Sequence, residues 1–375
     1  MNAPKRISHT PTPGSGQFLS QPGAVKLPLG TYAAECEAGL RSVAKALGRE
    51  ADLPRLTEVA ACMMDGWGAL PVPDVPPRAS RIGDDHSPFE YSLGFDPDGV
   101  DLRLLLEAQG TPPSAPANLE AALALNNRLV ARYSADIARF DVISDLFLEQ
   151  STAEPFALWH AISLSPDGEL DFKLYLNPQT RGRALAFPLV QAALLRLGFS
   201  TRAVECVERA MPREGIDELG YFSLDMSSEA RARVKLYVSH PRITAYEVDS
   251  LFEVCPQHRK GDVIEFCRAM TGRSGSFASK PLMSCLSFVA GSDEPSAATL
   301  HLPIAHYVSN DDEVRDRFSA FLRKHGLDHA GYEAALLALS RRPLGQGPGV
   351  QSYASFRRQG SGLRLTGYFS PELFR

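Results

Sequence analysis

The sequence predicts an α+β protein in which ten antiparallel strands close into a barrel, with helices outside and a polar lumen. Three observations lead there. Five strands share one pattern, polar residues alternating with aliphatics: DLRLLLE (101–107), DFKLYLNP (171–178), RVKLYVSH (233–240), ATLHLPI (298–304) and LRLTGYFSPE (363–372). Each is the second arm of a hairpin, and the hairpins recur at a spacing of roughly 60 to 70 residues, with helical segments between them. Period-two alternation puts Arg103, Lys173, Tyr175, Arg233, Lys235, Tyr237, His301, Arg364 and Tyr368 on one face, opposite Leu, Val and Phe.

Such a repeat buries its apolar face against neighbours, and closure removes the exposed sheet edges. Helices outside cover the aliphatic face, so the lumen takes the Lys/Arg/Tyr face. The alternative is a set of open sheets whose polar face meets water. Against it, the polar face carries few carboxylates beside its cations. Tyrosine also follows lysine by two residues in both KLY segments (173–175 and 235–237), which a water-facing strand does not require.

Residues 1–28, rich in Pro, Gly and Ser, read as a disordered tail, and 29–375 as a single barrel domain. Helices are expected over 31–50 and 56–68, followed by the Pro-rich connector 70–80. The first hairpin pairs 89–95 with 100–107 through Asp-Pro-Asp-Gly, a sequence suited to a tight turn. Helices over 118–133, with Asn118 as N-cap, and 135–148 lead to the second hairpin, 156–164 with 170–178. Helices 182–197 and 201–210 precede the third, 221–226 with 232–238. Helices 243–252 and 261–270 precede the fourth, 285–290 with 298–304. Helices 311–324 and 330–340 precede the last, 351–356 with 362–369.

The 375 residues are 44% hydrophobic and 22% charged, with a net charge of −5. An acidic whole argues against nucleic acid or an anionic membrane as the main partner, and no apolar run reaches the roughly 20 residues needed to span a bilayer. The first residues lack the apolar segment of a signal peptide. Six cysteines without a CxxC pair read as buried thiols of a cytoplasmic protein. Cations interleaved with tyrosines inside an acidic protein point to a cavity for an anion attached to something apolar. An aspartate-rich metal motif is incomplete: His86-Ser87-Pro88 follows Asp84-Asp85, and Glu313-Val314-Arg315 follows Asp311-Asp312, which reads instead as a helix start. No metal or cofactor is expected.

The hairpin repeat, DDHSPFEYSLGF (84–95), KLYLNP, RVKLYV and the closing SYASF…LTGYFSPE resemble aromatic prenyltransferases of the dimethylallyltryptophan synthase type, above all the bacterial indole prenyltransferases. The resemblance covers roughly residues 30 to 375. It implies the αββα barrel and Mg²⁺-independent transfer of a dimethylallyl group from dimethylallyl diphosphate to tryptophan or another indole. By motif position, Glu90 matches the glutamate that accepts the indole N–H. Arg103, Lys173, Arg233 and Lys235 match the diphosphate clamp, and Tyr175, Tyr237, Tyr353 and Tyr368 the tyrosines that bind diphosphate and shield the allyl cation. Thr299 and His301 stand where fungal members carry Gln-x-Tyr, and His301 joins the diphosphate group. His160 aligns near the acceptor as a second catalytic candidate, with a core histidine as the alternative; Trp67 and Trp159 read as packing. A phenolic or cyclic dipeptide acceptor, and a non-catalytic barrel that binds isoprenoid diphosphates, remain the competing readings.

Overall fold

The computed structural model describes residues 29–148, 156–360 and 362–374, so the 1–28 tail lies outside the described residues. Ten strands form: β1 (Phe89–Asp96), β2 (Gly99–Leu106), β3 (Leu158–Leu164), β4 (Leu170–Leu176), β5 (Glu218–Asp225), β6 (Arg233–His240), β7 (Leu282–Val289), β8 (Ala297–Leu302), β9 (Gln351–Gln359) and β10 (Gly362–Phe369). Each pairs antiparallel with its sequence neighbours, and β10 returns to β1. The barrel is closed, as the spacing predicts. Because the strands alternate in direction, all five hairpin turns lie at one end. In the first turn the Asp98 amide donates to the Asp96 carboxylate, 3.0 Å, and Gly99 takes a φ of 133° that a side chain would resist.

Eleven α-helices surround the described barrel: α1 (Tyr32–Ala46), α2 (Leu53–Met63), α3 (Ala115–Tyr133), α4 (Ala138–Asp141), α5 (Ser144–Leu148), α6 (Ala186–Arg196), α7 (Thr201–Arg209), α8 (Ala245–Leu251), α9 (Asp262–Thr271), α10 (Asp311–Lys324) and α11 (His329–Leu339). The core lies between them and the outer wall of the barrel. Phe266 of α9 stacks on Phe356 of β9 at 5.1 Å, and Phe147 of α5 meets Phe222 of β5 at 5.2 Å. Trp67 is buried against Tyr32, in packing as expected.

Two helix boundaries differ from expectation. Ser114, not Asn118, caps α3: its hydroxyl accepts from the Ala117 amide at 3.2 Å. Asn118 lies one turn inside and accepts from the Gly110 amide instead, 2.8 Å. The single helix expected over 135–148 is two short ones, α4 and α5.

His160 corrects the sequence reading more seriously. The register pairs it with Leu106 and Leu174, whereas Ala161 pairs with Lys173. Residues directly opposite share a face, so His160 belongs to the aliphatic outer wall. It is fully buried there, and its Nε2 donates to Asn126 Oδ1 of α3 at 2.7 Å. Burial, helped by Arg128, pushes the imidazole down to about 3 and keeps it neutral. His160 is a core histidine.

Asp311 opens α10 as read from the sequence, with Asn310 as N-cap. It also ties the helix to the barrel. Its buried carboxylate accepts from the amides of Gly349, Val350 and Gln351 and pairs with Arg342, which bonds Glu372 beyond β10. Removing the carboxylate leaves those amides without their acceptor and Arg342 with Glu372 alone. Asp311→Ala should therefore cost about 3–5 kcal/mol in denaturant unfolding, while activity per folded molecule stays near wild type.

Candidate active site

The even-numbered strands all run away from the turn end, so equivalent positions on them form tiers along the lumen. Near the turns stand Arg233 and Arg364, with Asp101 beside them. Two residues on come Arg103, Lys173 and Lys235. Two further on come Tyr175, Tyr237, His301 and Tyr368. One such step is about 6.8 Å along a strand. A cationic floor thus sits beneath an aromatic belt, around a chamber lined by both.

The floor holds more cations than the sequence reading assigned to the clamp. Arg357 of β9 faces Arg364 of β10 across the register and lines the chamber with it. Gly94 of β1 makes room for the crowd: a Cβ there would lie 2.4 Å from Arg364 Nη2 and 3.1 Å from Arg103 Nη2. Carboxylates are also more numerous than expected. Asp101 pairs with Arg103 at 2.8 Å and with Arg364, which also bonds Asp96. Asp225 pairs with Arg233 at 2.7 Å and stands 3.9 Å from Lys173.

Six basic side chains, Arg103, Lys173, Arg233, Lys235, Arg357 and Arg364, therefore face three aspartates, Asp96, Asp101 and Asp225. The imbalance shows in their proton affinities. Burial opposes ionisation of Asp225, but Lys173 and Arg233 outweigh it and hold the carboxyl below its usual range. Lys235 has no carboxylate partner among the described residues, and burial together with Arg233 pushes its ammonium well down. Burial also lowers Lys173 to about 8, despite Asp225, and Arg357 to about 9, where its arginine neighbours add to the effect. The floor is short of negative charge.

The belt is continuous. Ring centroids lie 5.9 Å apart between Tyr175 and Tyr237, 5.5 Å between Tyr237 and His301, and 5.7 Å between His301 and Tyr368. Tyr353 of β9 extends it towards the mouth, 6.3 Å from Tyr368. Trp159 packs there with Phe156 and Tyr221. Burial raises the phenols of Tyr175, Tyr237, Tyr353 and Tyr368, so they remain hydrogen-bond donors.

Glu90 sits on β1 opposite Leu105, at belt level. Ser352 Oγ donates to its Oε1 at 2.5 Å. Burial pushes the carboxyl up to about 8, against that hydrogen bond. The mouth above is lined by the segment before β1, whose Asp84 bonds Lys280 and, at 2.8 Å, His306. Lys280 lies over the Tyr353 ring, 4.8 Å from its centroid. Among the described residues, no group of three or more His, Cys, Asp or Glu side chains is placed to hold a metal ion.

Arg103, Lys173, Tyr175, Arg233, Lys235, Tyr237, His301, Tyr368 and Glu90 thus meet in one chamber, with Tyr353 at its mouth; His160 alone stands outside. The sequence reading missed Arg357, Asp101, Asp225 and Lys280. The first three share the alternation of Tyr353, Arg103 and Tyr221 on their own strands. Lys280 precedes β7 and carries no periodic signal.

Comparison with known proteins agrees with this geometry. The family model described as tryptophan dimethylallyltransferase matches residues 66–335. The fold is similar to 6-dimethylallyltryptophan synthase from Micromonospora olivasterospora, solved in complex with DMASPP and Trp: 30% identity over 92% of this chain and 98% of that one, TM-score 0.85. The 5-dimethylallyl tryptophan synthase from Streptomyces coelicolor gives 29% identity over 92% and 96%, TM-score 0.84. A 4-O-dimethylallyl-L-tyrosine synthase from Claviceps purpurea (strain 20.1) is 28% identical over 189 residues, 44% of this chain, and the chain spans 42% of that relative. With a closed ten-strand barrel, a cation-floored lumen and a family match over most of its length, this chain belongs to the tryptophan dimethylallyltransferase family.

Proposed function

We propose that this protein transfers a dimethylallyl group from dimethylallyl diphosphate to the indole ring of tryptophan or a tryptophan derivative, without a metal ion. The observation that carries this reading is the floor's excess of basic side chains over paired carboxylates beneath an aromatic belt. Ionising the donor leaves a diphosphate trianion beside an allyl cation. The floor offsets the trianion electrostatically, in a buried site where fixed charges act strongly. The belt excludes water and attracts the cation to its ring faces, by about 0.5–2 kcal/mol per ring.

The ring lies between the belt and Glu90. As a carboxylate, Glu90 accepts the indole N–H and stabilises the positive charge that spreads onto nitrogen as the new bond forms. The same arrangement fits a phenolic O–H, and the likeness to a tyrosine-prenylating relative favours tyrosine as the second acceptor to try. A cytoplasmic location fits six free, buried cysteines. No helix among the described residues is long and apolar enough to cross a membrane.

Incubation with dimethylallyl diphosphate and tryptophan, tyrosine or a tryptophan-containing cyclic dipeptide, followed by mass spectrometry and NMR, tests the reading directly. A prenylated indole is expected, and its absence with every acceptor overturns the proposal. With a cation floor in place of a metal, most of the rate should survive EDTA; loss restored by Mg²⁺ would refute the clamp.

The pH profile tests Glu90. Only its ionised form serves, so at saturating donor the rate should climb with pH towards a plateau above about 8. Glu90→Gln should lose that limb and about 10²-fold or more in turnover. Near wild-type turnover would remove Glu90 from the chemistry. Diphosphate binding should also restore protons to Lys173 and Lys235, whose charged forms it favours. Calorimetry in buffers of different ionisation enthalpy should register proton uptake at pH 8.5; proton release would contradict the assigned floor.

A further inference from the structure

Substitution at a ring carbon leaves that carbon with a proton to lose, and the groups around the chamber differ in their fitness to take it. The belt tyrosines are held protonated by burial and donate. Glu90 is committed to the N–H. The floor lysines are charged once a diphosphate is bound. His160 is behind the barrel wall.

His301 is different. It is the one histidine lining the chamber among the described residues, and it occupies on β8 the belt position that β4, β6 and β10 fill with tyrosine. Tyr237 and Tyr368 flank it at 5.5 and 5.7 Å between centroids, so its ring is held at the level where the allyl cation and the acceptor ring meet. No hydrogen bond within the described protein engages its ring nitrogens.

We propose that His301 is the base that takes the proton from the prenylated ring carbon. The inference rests on the transfer reading above and replaces the diphosphate contact expected from the sequence. In the step, the C–O bond of the donor breaks with its electron pair leaving on diphosphate. A ring π pair then forms the C–C bond to the allyl carbon. The C–H pair of the resulting arenium ion returns to the ring as the proton passes to an imidazole nitrogen. The imidazolium then gives that proton to the diphosphate, and the enzyme is regenerated.

The surroundings suit this order of events. Burial, with Lys235 and Arg103, lowers the imidazole to about 3 and keeps it unprotonated. Bound diphosphate offsets those same cations and makes the imidazolium easier to form. The base is thus strengthened by the donor that creates the need for it.

The test compares wild type, His301→Phe and His301→Ala with dimethylallyl diphosphate and tryptophan deuterated on the indole ring. Phenylalanine keeps an aromatic ring in the belt but cannot accept a proton. In wild type the isotope effect should be near unity. In His301→Phe turnover should fall about 10²- to 10⁴-fold and the isotope effect should exceed about 2, because proton removal has become slow. Added imidazole should restore part of the rate in His301→Ala. Diphosphate affinity should stay within about threefold of wild type, since removing a charge-assisted hydrogen bond to the diphosphate would weaken it further.

An isotope effect that stays near unity in both variants overturns the proposal, as does a loss of diphosphate affinity that accounts for the slower rate. If His301→Phe does not fold, imidazole rescue and the isotope effect in His301→Ala decide alone. Failure of wild type to prenylate any acceptor would sink the transfer reading instead, so the two failures are separable.

Discussion

One electrostatic constraint governs the lumen: six basic side chains line one chamber with carboxylates enough for half of them. In a soluble core such a cluster would disperse into water or lose its protons. Here it can do neither completely. A closed ladder of ten strands fixes every Cα, and the three aspartates hold the arginines in place at the turn end. What relaxation remains is chemical, and it falls on the lysines, Arg357 and Arg364, whose charged forms are weakened. An arriving polyanion completes the site rather than disturbing it.

The closed barrel is what makes this arrangement tolerable. Small barrels usually fill their interior with aliphatic side chains. This one turns its Leu, Val and Phe outward against the helices and builds its hydrophobic core there, as Phe266 on Phe356 and Phe147 on Phe222 illustrate. Stability then comes from outside the lumen, and the lumen is free to be destabilised for function. Separate anchors serve the outer layer. Asp311 and Arg342 fasten the start of β9 and the chain beyond β10 without touching the chamber.

The sequence revealed the barrel because side-chain alternation and hairpin turns are local signals, repeated five times over. It revealed most of the floor and belt for the same reason: a residue's face follows from its parity on a strand. His160 shares the alternation of Leu158, Ile162 and Leu164, all buried on the outer wall, so its place is legible from parity alone. Arg357 was cut off because β9 was expected to end at Phe356, whereas it runs to Gln359. Asp101 and Asp225 share a face with the cations they hold, which contradicts the expectation of few carboxylates. Lys280 is different in kind. Only the closed fold brings the loop before β7 over Tyr353 and Asp84, and no pattern along the chain encodes that meeting.

The placement of Glu90 follows from the same charge distribution. Four strand residues, about 13 Å, separate it along β1 from Gly94, where the arginine heads crowd. Close to the floor it would be a paired carboxylate, permanently ionised and a weak proton acceptor. At belt level no floor cation is near enough to offset its burial, and its affinity for a proton rises into the neutral range. Such a group is poorly stabilised as an anion until positive charge appears beside it. That charge appears on the acceptor ring as the C–C bond forms, so the carboxylate interacts more strongly with the transition state than with the bound substrate, which is the condition for accelerating the step. The tyrosines that share the belt with the carboxylate therefore do more than shield a cation: by filling that level with neutral rings, they preserve the carboxylate's preference for the transition state.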